Sequence, residues 1–158
     1  MAIRLDPAPH IMLVVAPYYR EITEQLVEGA TAEIEAAGGT WERFDVAGAF
    51  EIPVAVAIAM EASERDPARH RFDGYVTLGC VIRGETSHYD LICEETARAV
   101  QDLAVSRRAA IGFGVLTCEN GEQARVRAAV DRKNKGGEAA RACLETLRLK
   151  RHFNLYPR

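Results

Sequence analysis

Apolar runs of strand length alternate along the chain with stretches in which apolar residues recur at helical spacing. Residues 10–16 (His-Ile-Met-Leu-Val-Val-Ala) form a continuous apolar run that reads as a buried strand, and residues 21–37 carry Ile22, Leu26 and Ile34 on one stripe of a helix. Gly38 and Gly39 stop that helix as a left-handed C-cap does. A second strand over 40–46 leads into Gly48-Ala-Phe-Glu51, and Pro53 sits where the first turn of a helix tolerates proline, so a helix is expected to about residue 64 or 65. The polar segment 65–71 contains a proline and reads as a surface loop. A third strand follows over 74–82. Beyond Arg83-Gly-Glu-Thr-Ser87, a helix over about 88–105 places Ile92, Thr96, Ala99 and Leu103 at helical spacing. A fourth run, 109–118, is apolar throughout. Two more helices are expected near 119–130 and from about 137 to 152, with a basic, glycine-containing bend at 131–136 between them.

Strands alternating with helices predict an α/β chain, a three-layer α/β/α sandwich of flavodoxin-like type whose four-stranded parallel sheet carries helices on both faces. The length of 158 residues suits one domain, with 1–9 as a short N-terminal arm.

Composition narrows the function classes. With 48% hydrophobic and 27% charged residues the chain is an ordinary globular protein, and a formal net charge of -3 supplies no basic field for nucleic acid. The basic tail (Arg148, Lys150, Arg151, Arg158) is balanced by acids elsewhere. Nothing demands a membrane. The apolar run before Pro17 is too short for a secretion signal, so a cytoplasmic protein is expected. Four cysteines (Cys80, Cys93, Cys118, Cys143) form no C-x-x-C pair and have no histidine at metal-ligand spacing, so they read as reduced, mostly buried thiols, and no metal is expected.

In a parallel sheet the loops leaving the carboxyl ends of the strands converge on one edge. That singles out Pro17-Tyr18-Tyr19, Gly48-Ala-Phe-Glu-Ile-Pro53, Val81-Ile-Arg-Gly-Glu-Thr-Ser-His88 and Thr117-Cys-Glu-Asn120. In the third, a strand, a glycine turn and a helix start make an anion site, with backbone N–H groups at Gly84, Glu85 and Thr86 available to a phosphate. A lone glycine turn is common and does not prove one. His88 opens the same helix and is the acid/base candidate, although a histidine there is as often a capping or packing residue. His10, His70 and His152 read as structural. Glu51, expected in the first turn of its helix, can accept hydroxyl hydrogen bonds or simply favour the helix dipole. Tyr18 and Phe113 can stack on a flat heterocycle, while aromatics at strand ends are more often core or interface. Arg127 and Lys135 can bind an anion or be solvated surface.

Taken as an ordered set, Gly48-Ala-Phe-Glu-Ile-Pro53, Leu78-Gly-Cys-Val-Ile-Arg-Gly-Glu-Thr-Ser-His-Tyr-Asp90, Phe113-Gly-Val-Leu-Thr-Cys-Glu-Asn120 and Asn134-Lys-Gly136 resemble the lumazine synthase family over residues 12–153. The resemblance implies condensation of 5-amino-6-ribitylamino-uracil with 3,4-dihydroxy-2-butanone 4-phosphate to 6,7-dimethyl-8-ribityllumazine, phosphate and water, without metal or organic cofactor. It implies that His88 is the general acid/base, that Gly84, Glu85 and Thr86 form the phosphate loop, and that Arg127 is the cationic partner of that loop. Val81 and Ile82 would hold the pyrimidine edge through backbone groups, Tyr18 would stack on its face, and Ala49, Phe50 and Glu51 would receive the ring and ribityl chain. Phe113, Gly114 and Lys135 would complete the site. In this family the Phe113 and Arg127 regions come from a neighbouring subunit of a homopentamer. The chain departs from the family pattern at Pro17-Tyr18-Tyr19, where a basic residue, Phe or Trp, and Asn or His are common. Its 130–134 bend also lacks the glycines of many sixty-subunit shells, so a free pentamer is expected.

Two rival classes remain. A flavin-binding electron-transfer module shares the architecture but wants a hydroxyl- and glycine-rich loop after the first strand, which Ala16-Pro17-Tyr18-Tyr19 does not supply. A non-catalytic flavin- or lumazine-binding relative is opposed only by retention of His88, Arg127 and Lys135.

Overall fold

The computed structural model describes residues 3–155; Arg158 of the basic tail and the first two residues of the N-terminal arm lie outside the described residues. Strands β1 (His10–Val15), β2 (Thr40–Asp45), β3 (Gly74–Ile82) and β4 (Ile111–Cys118) form one sheet in the order β2-β1-β3-β4, every pairing parallel. Helices α1 (Arg20–Ala36), α2 (Ile52–Arg65), α3 (His88–Arg107), α4 (Gly121–Ala128) and α5 (Lys135–His152) cover it. This is the expected flavodoxin-like arrangement.

The run 11–16 is apolar at every position because the sheet is buried on both faces. Ile11, Leu13 and Val15 pack with Leu26 and Ile34 of α1, Ala124 of α4, and Leu144 and Leu147 of α5. Met12, Val14 and Ala16 point the other way, onto Ile52, Val56 and Met60 of α2 and Val100 of α3. The helix stop at 38–39 forms as expected, with Gly38 left-handed at φ 82° and Gly39 N–H returning to the Ile34 carbonyl at 2.9 Å.

The carboxy-terminal third differs from the sequence expectation. Helix α4 is shorter than 119–130, because Asn120 caps it by accepting from Gln123 N–H at 2.9 Å and the chain turns extended at Ala129. Helix α5 starts at Lys135, so Lys135 and Gly136 belong to the helix and not to the bend. Asn134 tolerates the left-handed backbone (φ 45°) and its Oδ1 accepts from Gly137 N–H at 3.2 Å, which lets the helix begin early. Gly136 serves contact, not a turn: a Cβ there would fall 2.0 Å from the Leu26 carbonyl oxygen of α1. Nor is β4 buried throughout. Gly112 lies so close to α5 that a Cβ would stand 1.9 Å from the Ala139 carbonyl oxygen, yet Phe113 and Thr117, on the opposite face of this edge strand, are exposed.

Candidate active site

Because all four strands are parallel, the segments leaving their carboxyl ends open on one edge of the sheet. After β2, Gly48 is extended and the chain makes a single 3-10 turn over Ala49–Glu51 before α2 begins. Glu51 thus precedes α2 and does not lie in its first turn, because its N–H returns to the Gly48 carbonyl at 3.1 Å and closes a tighter turn first. Pro53 is accepted at the helix start, where no N–H is needed. Thr96 of α3, fully buried, donates through Oγ1 to the Ala49 carbonyl at 3.5 Å and ties this turn to α3.

After β3, residues 83–88 are all exposed. The Gly84 backbone is not left-handed, and a Cβ there would meet nothing within 4 Å, so neither conformation nor packing demands glycine. What the missing side chain leaves is free approach to the backbone N–H groups of the turn. Ser87 places no side-chain cap on α3, and the only side-chain hydrogen bond described inside the turn runs from His88 N–H to Thr86 Oγ1 at 3.3 Å. The positive end of a 20-residue helix therefore faces open space at 84–87. His88, the first residue of α3, lines a cavity of about 420 Å³ with residues 48–51, Leu91 and Ile92. Phe50 is 54% exposed and Leu91 56%.

Tyr18 stands free after β1, 77% exposed, with its ring edge-on to Tyr19 at 4.9 Å. Val81 and Ile82 end β3 half-buried, in register with Thr117 and Cys118. The expected residues at the sheet edge, Tyr18, the 49–51 turn, Val81, Ile82, the 84–86 turn and His88, are thus carried to one side of the molecule.

The remaining four are not with them. Phe113, Gly114, Arg127 and Lys135 line a second cavity of about 390 Å³ between the free edge of β4, α4 and α5, which shares no residue with the first. Phe113 is the third residue of β4, not at a strand end, and is 41% exposed. Lys135 Nζ pairs with Glu138 Oε2 at 2.5 Å, and Arg127 donates to the Gln123 carbonyl at 3.2 Å. Among the described residues Arg127 forms no ion pair within 4.0 Å.

Several residues at these sites were not apparent from sequence. Leu91 lines the first cavity and Glu138 the second. Thr96 shows in the sequence only as part of a helical stripe, and Arg83 reaches Asp90 of α3 and Glu119 just beyond β4. Cys80, Cys118 and Cys143 are buried and Cys93 half-buried, and burial pushes the thiols of Cys80 and Cys143 up to about 12, which makes them poor nucleophiles. Among the described residues there is no group of three or more side chains able to hold a metal and no helix long and apolar enough to cross a membrane.

A parallel sheet in the order β2-β1-β3-β4, covered by helices on both faces and carrying His88 and Glu51 in one cavity, places the chain among the flavodoxin-like α/β proteins. Within that class the chain belongs to the 6,7-dimethyl-8-ribityllumazine synthase family, whose profile matches residues 8–151. It is 50% identical over 147 residues to the 6,7-dimethyl-8-ribityllumazine synthase of Methylorubrum populi, covering 93% of this chain and 86% of that one. It is 46% identical over 143 residues to the enzyme of the same name from Agrobacterium fabrum, covering 90% of this chain and 95% of that one. The protein named 6,7-dimethyl-8-ribityllumazine synthase 1 of Rhizobium meliloti is 46% identical, with 91% of this chain and 93% of that one covered.

Proposed function

We propose that the chain is a transferase of riboflavin biosynthesis that condenses 5-amino-6-(D-ribitylamino)uracil with 3,4-dihydroxy-2-butanone 4-phosphate, giving 6,7-dimethyl-8-ribityllumazine, phosphate and water. One observation carries the reading: His88 lines one cavity with the Ala49–Glu51 turn and directly follows an open, uncapped turn at a helix N-terminus. A proton carrier, a place for a polar chain and an anion seat are then adjacent. The pyrimidine lies against Tyr18 and the backbone of Val81 and Ile82, and its ribityl chain passes Ala49, Phe50 and Glu51. The phosphate sits on the N–H groups of Gly84, Glu85 and Thr86. The 5-amino nitrogen attacks the ketone carbon and a first water leaves; phosphate is then eliminated, and the ribitylamino nitrogen adds to the remaining carbonyl and closes the second ring as a second water leaves. His88 takes the proton released at nitrogen and returns it to the departing oxygen, a shuttle suited to an imidazole.

Arg127, Lys135, Phe113 and Gly114 complete the site from a neighbouring copy in a homopentamer, in which Arg127 offsets the phosphate charge and Phe113 covers the heterocycle. Their separate cavity, and the exposed apolar Phe50, Val54, Ile58 and Leu91 of one chain, support this reading. We place the enzyme in the cytoplasm.

The test is to mix the protein with both substrates and follow the lumazine chromophore against the uncatalysed condensation. Acceleration is expected; a rate equal to the control, with the pyrimidine still bound, overturns the reading in favour of a binding protein. In sedimentation the species expected is near five subunits, and a monomer would remove the shared-site proposal.

A further inference from the structure

The turn at 84–87 must keep its shape without a core beneath it, since every residue from 83 to 88 is exposed. Its bracing comes from the residue before it. Arg83 N–H donates to the Cys118 carbonyl at 2.9 Å, which seats the start of the turn on β4. The guanidinium then spreads over two further elements. Nε donates to Glu119 Oε2 at 2.7 Å, just beyond β4, and Nη1 and Nη2 donate to the two oxygens of Asp90 at 3.3 and 3.2 Å, in the first turn of α3. The Arg83 Cζ lies 4.3 Å from the centroid of the Tyr89 ring. One side chain thereby joins the entrance of the turn, its exit on α3 and the end of the neighbouring strand.

The same contacts decide what Arg83 does not do. All three guanidinium nitrogens already donate, and two carboxylates outweigh its single charge. It is the cation nearest the turn in sequence, yet its charge is spent on Asp90 and Glu119. We infer that Arg83 is a positioning residue for the anion seat: by clamping Asp90 and Glu119 across the turn it holds the backbone N–H groups of Gly84, Glu85 and Thr86 in line for the phosphate of the sugar substrate. This inference rests on the phosphate reading of that turn given above.

The sign of the effect separates positioning from charge. Removing an acid near a phosphate helps anion binding by simple electrostatics, and it would also release Arg83 if arginine itself were the phosphate ligand. If Arg83 acts as a clamp, the same change loosens the turn and weakens binding. Arg83→Lys, Asp90→Asn and Glu119→Gln are measured in the assembled enzyme for KM of the sugar phosphate, inhibition by inorganic phosphate, KM of the pyrimidine, and Tm. Each variant is expected to raise both the sugar-phosphate KM and the inhibition constant of inorganic phosphate by about three- to tenfold, Lys included because its single ammonium cannot span three donor positions. The pyrimidine KM and Tm should hardly move. Tighter inhibition by phosphate in Asp90→Asn or Glu119→Gln would overturn the clamp and make Arg83 a charge donor. A joint rise of both KM values with a fall in Tm would make its role merely structural. If the parent makes lumazine but ignores inorganic phosphate, the phosphate reading of the turn itself fails and takes this inference with it. If the parent is inhibited and the variants match it, only the role of Arg83 fails.

Discussion

Gly136→Ala should cost stability through one identifiable contact. The added Cβ would lie 2.0 Å from the Leu26 carbonyl oxygen and 2.7 Å from the carbonyl carbon and Cα of Leu26. These are backbone atoms inside α1, so no side chain can swing aside, and α5 must retreat from α1 by about 1 Å even to reach the closest contacts proteins tolerate. Overpacking of this kind costs about 1–3 kcal/mol. For a chain of this length each kcal/mol lowers Tm by about 2–4 °C, so a fall of roughly 2–12 °C is expected in thermal unfolding. Lys135 is the neighbouring residue, so the β4-edge cavity should distort as well. Gly84→Ala is the matched control. Its Cβ meets nothing within 4 Å and its backbone is not left-handed, so Tm should hold or rise by about 1–4 °C while the KM for the sugar phosphate rises. Equal Tm values for Gly136→Ala and the parent would refute the close-approach argument, and a marked fall for Gly84→Ala would show that its glycine is structural after all.

Replacing His88 by Ala should slow condensation roughly a hundred- to ten-thousand-fold while equilibrium binding of the pyrimidine is kept, and an unchanged rate would remove its acid/base role. Iodoacetamide at mildly alkaline pH should label half-buried Cys93 first and Cys143 last, read by intact mass and peptide mapping, because Cys143 is wholly buried and its thiol is pushed up to about 12. The same raised thiol links pH to stability. Its contribution is fully present below the ordinary value of 9.0 and is lost as pH rises toward 12, since the unfolded chain gives up its proton first. Denaturant midpoints should therefore fall above about pH 9, and Cys143→Ala should flatten that fall; an identical slope in the variant would contradict the assignment.

The strands and the order of the layers were legible because a parallel sheet covered on both sides leaves a continuous apolar run, and 74–82 matches β3 at both ends. Helix α1 was equally plain, since Ile22, Leu26 and Ile34 share one stripe and Gly38 ends it in a backbone conformation that glycine adopts freely. The gathering of His88 with the 49–51 turn followed from geometry alone, as parallel strands send their exits to one edge. The start of α5 did not follow, for it depends on Asn134 holding a left-handed backbone and on how closely α5 approaches α1. The exposure of Phe113 was hidden too: an apolar run looks the same whether or not a helix covers one face of it. Contacts between distant residues, Arg83 with Glu119 and Thr96 with Ala49, lie 36 and 47 positions apart and leave no periodic trace. Local pattern thus determined which segments are strands and helices and which loops share an edge, because burial imposes a repeat on neighbouring residues. Only the tertiary structure decided how close the elements lie, which aromatic stays uncovered and what braces the turn, because those depend on side chains that meet only once the chain has folded.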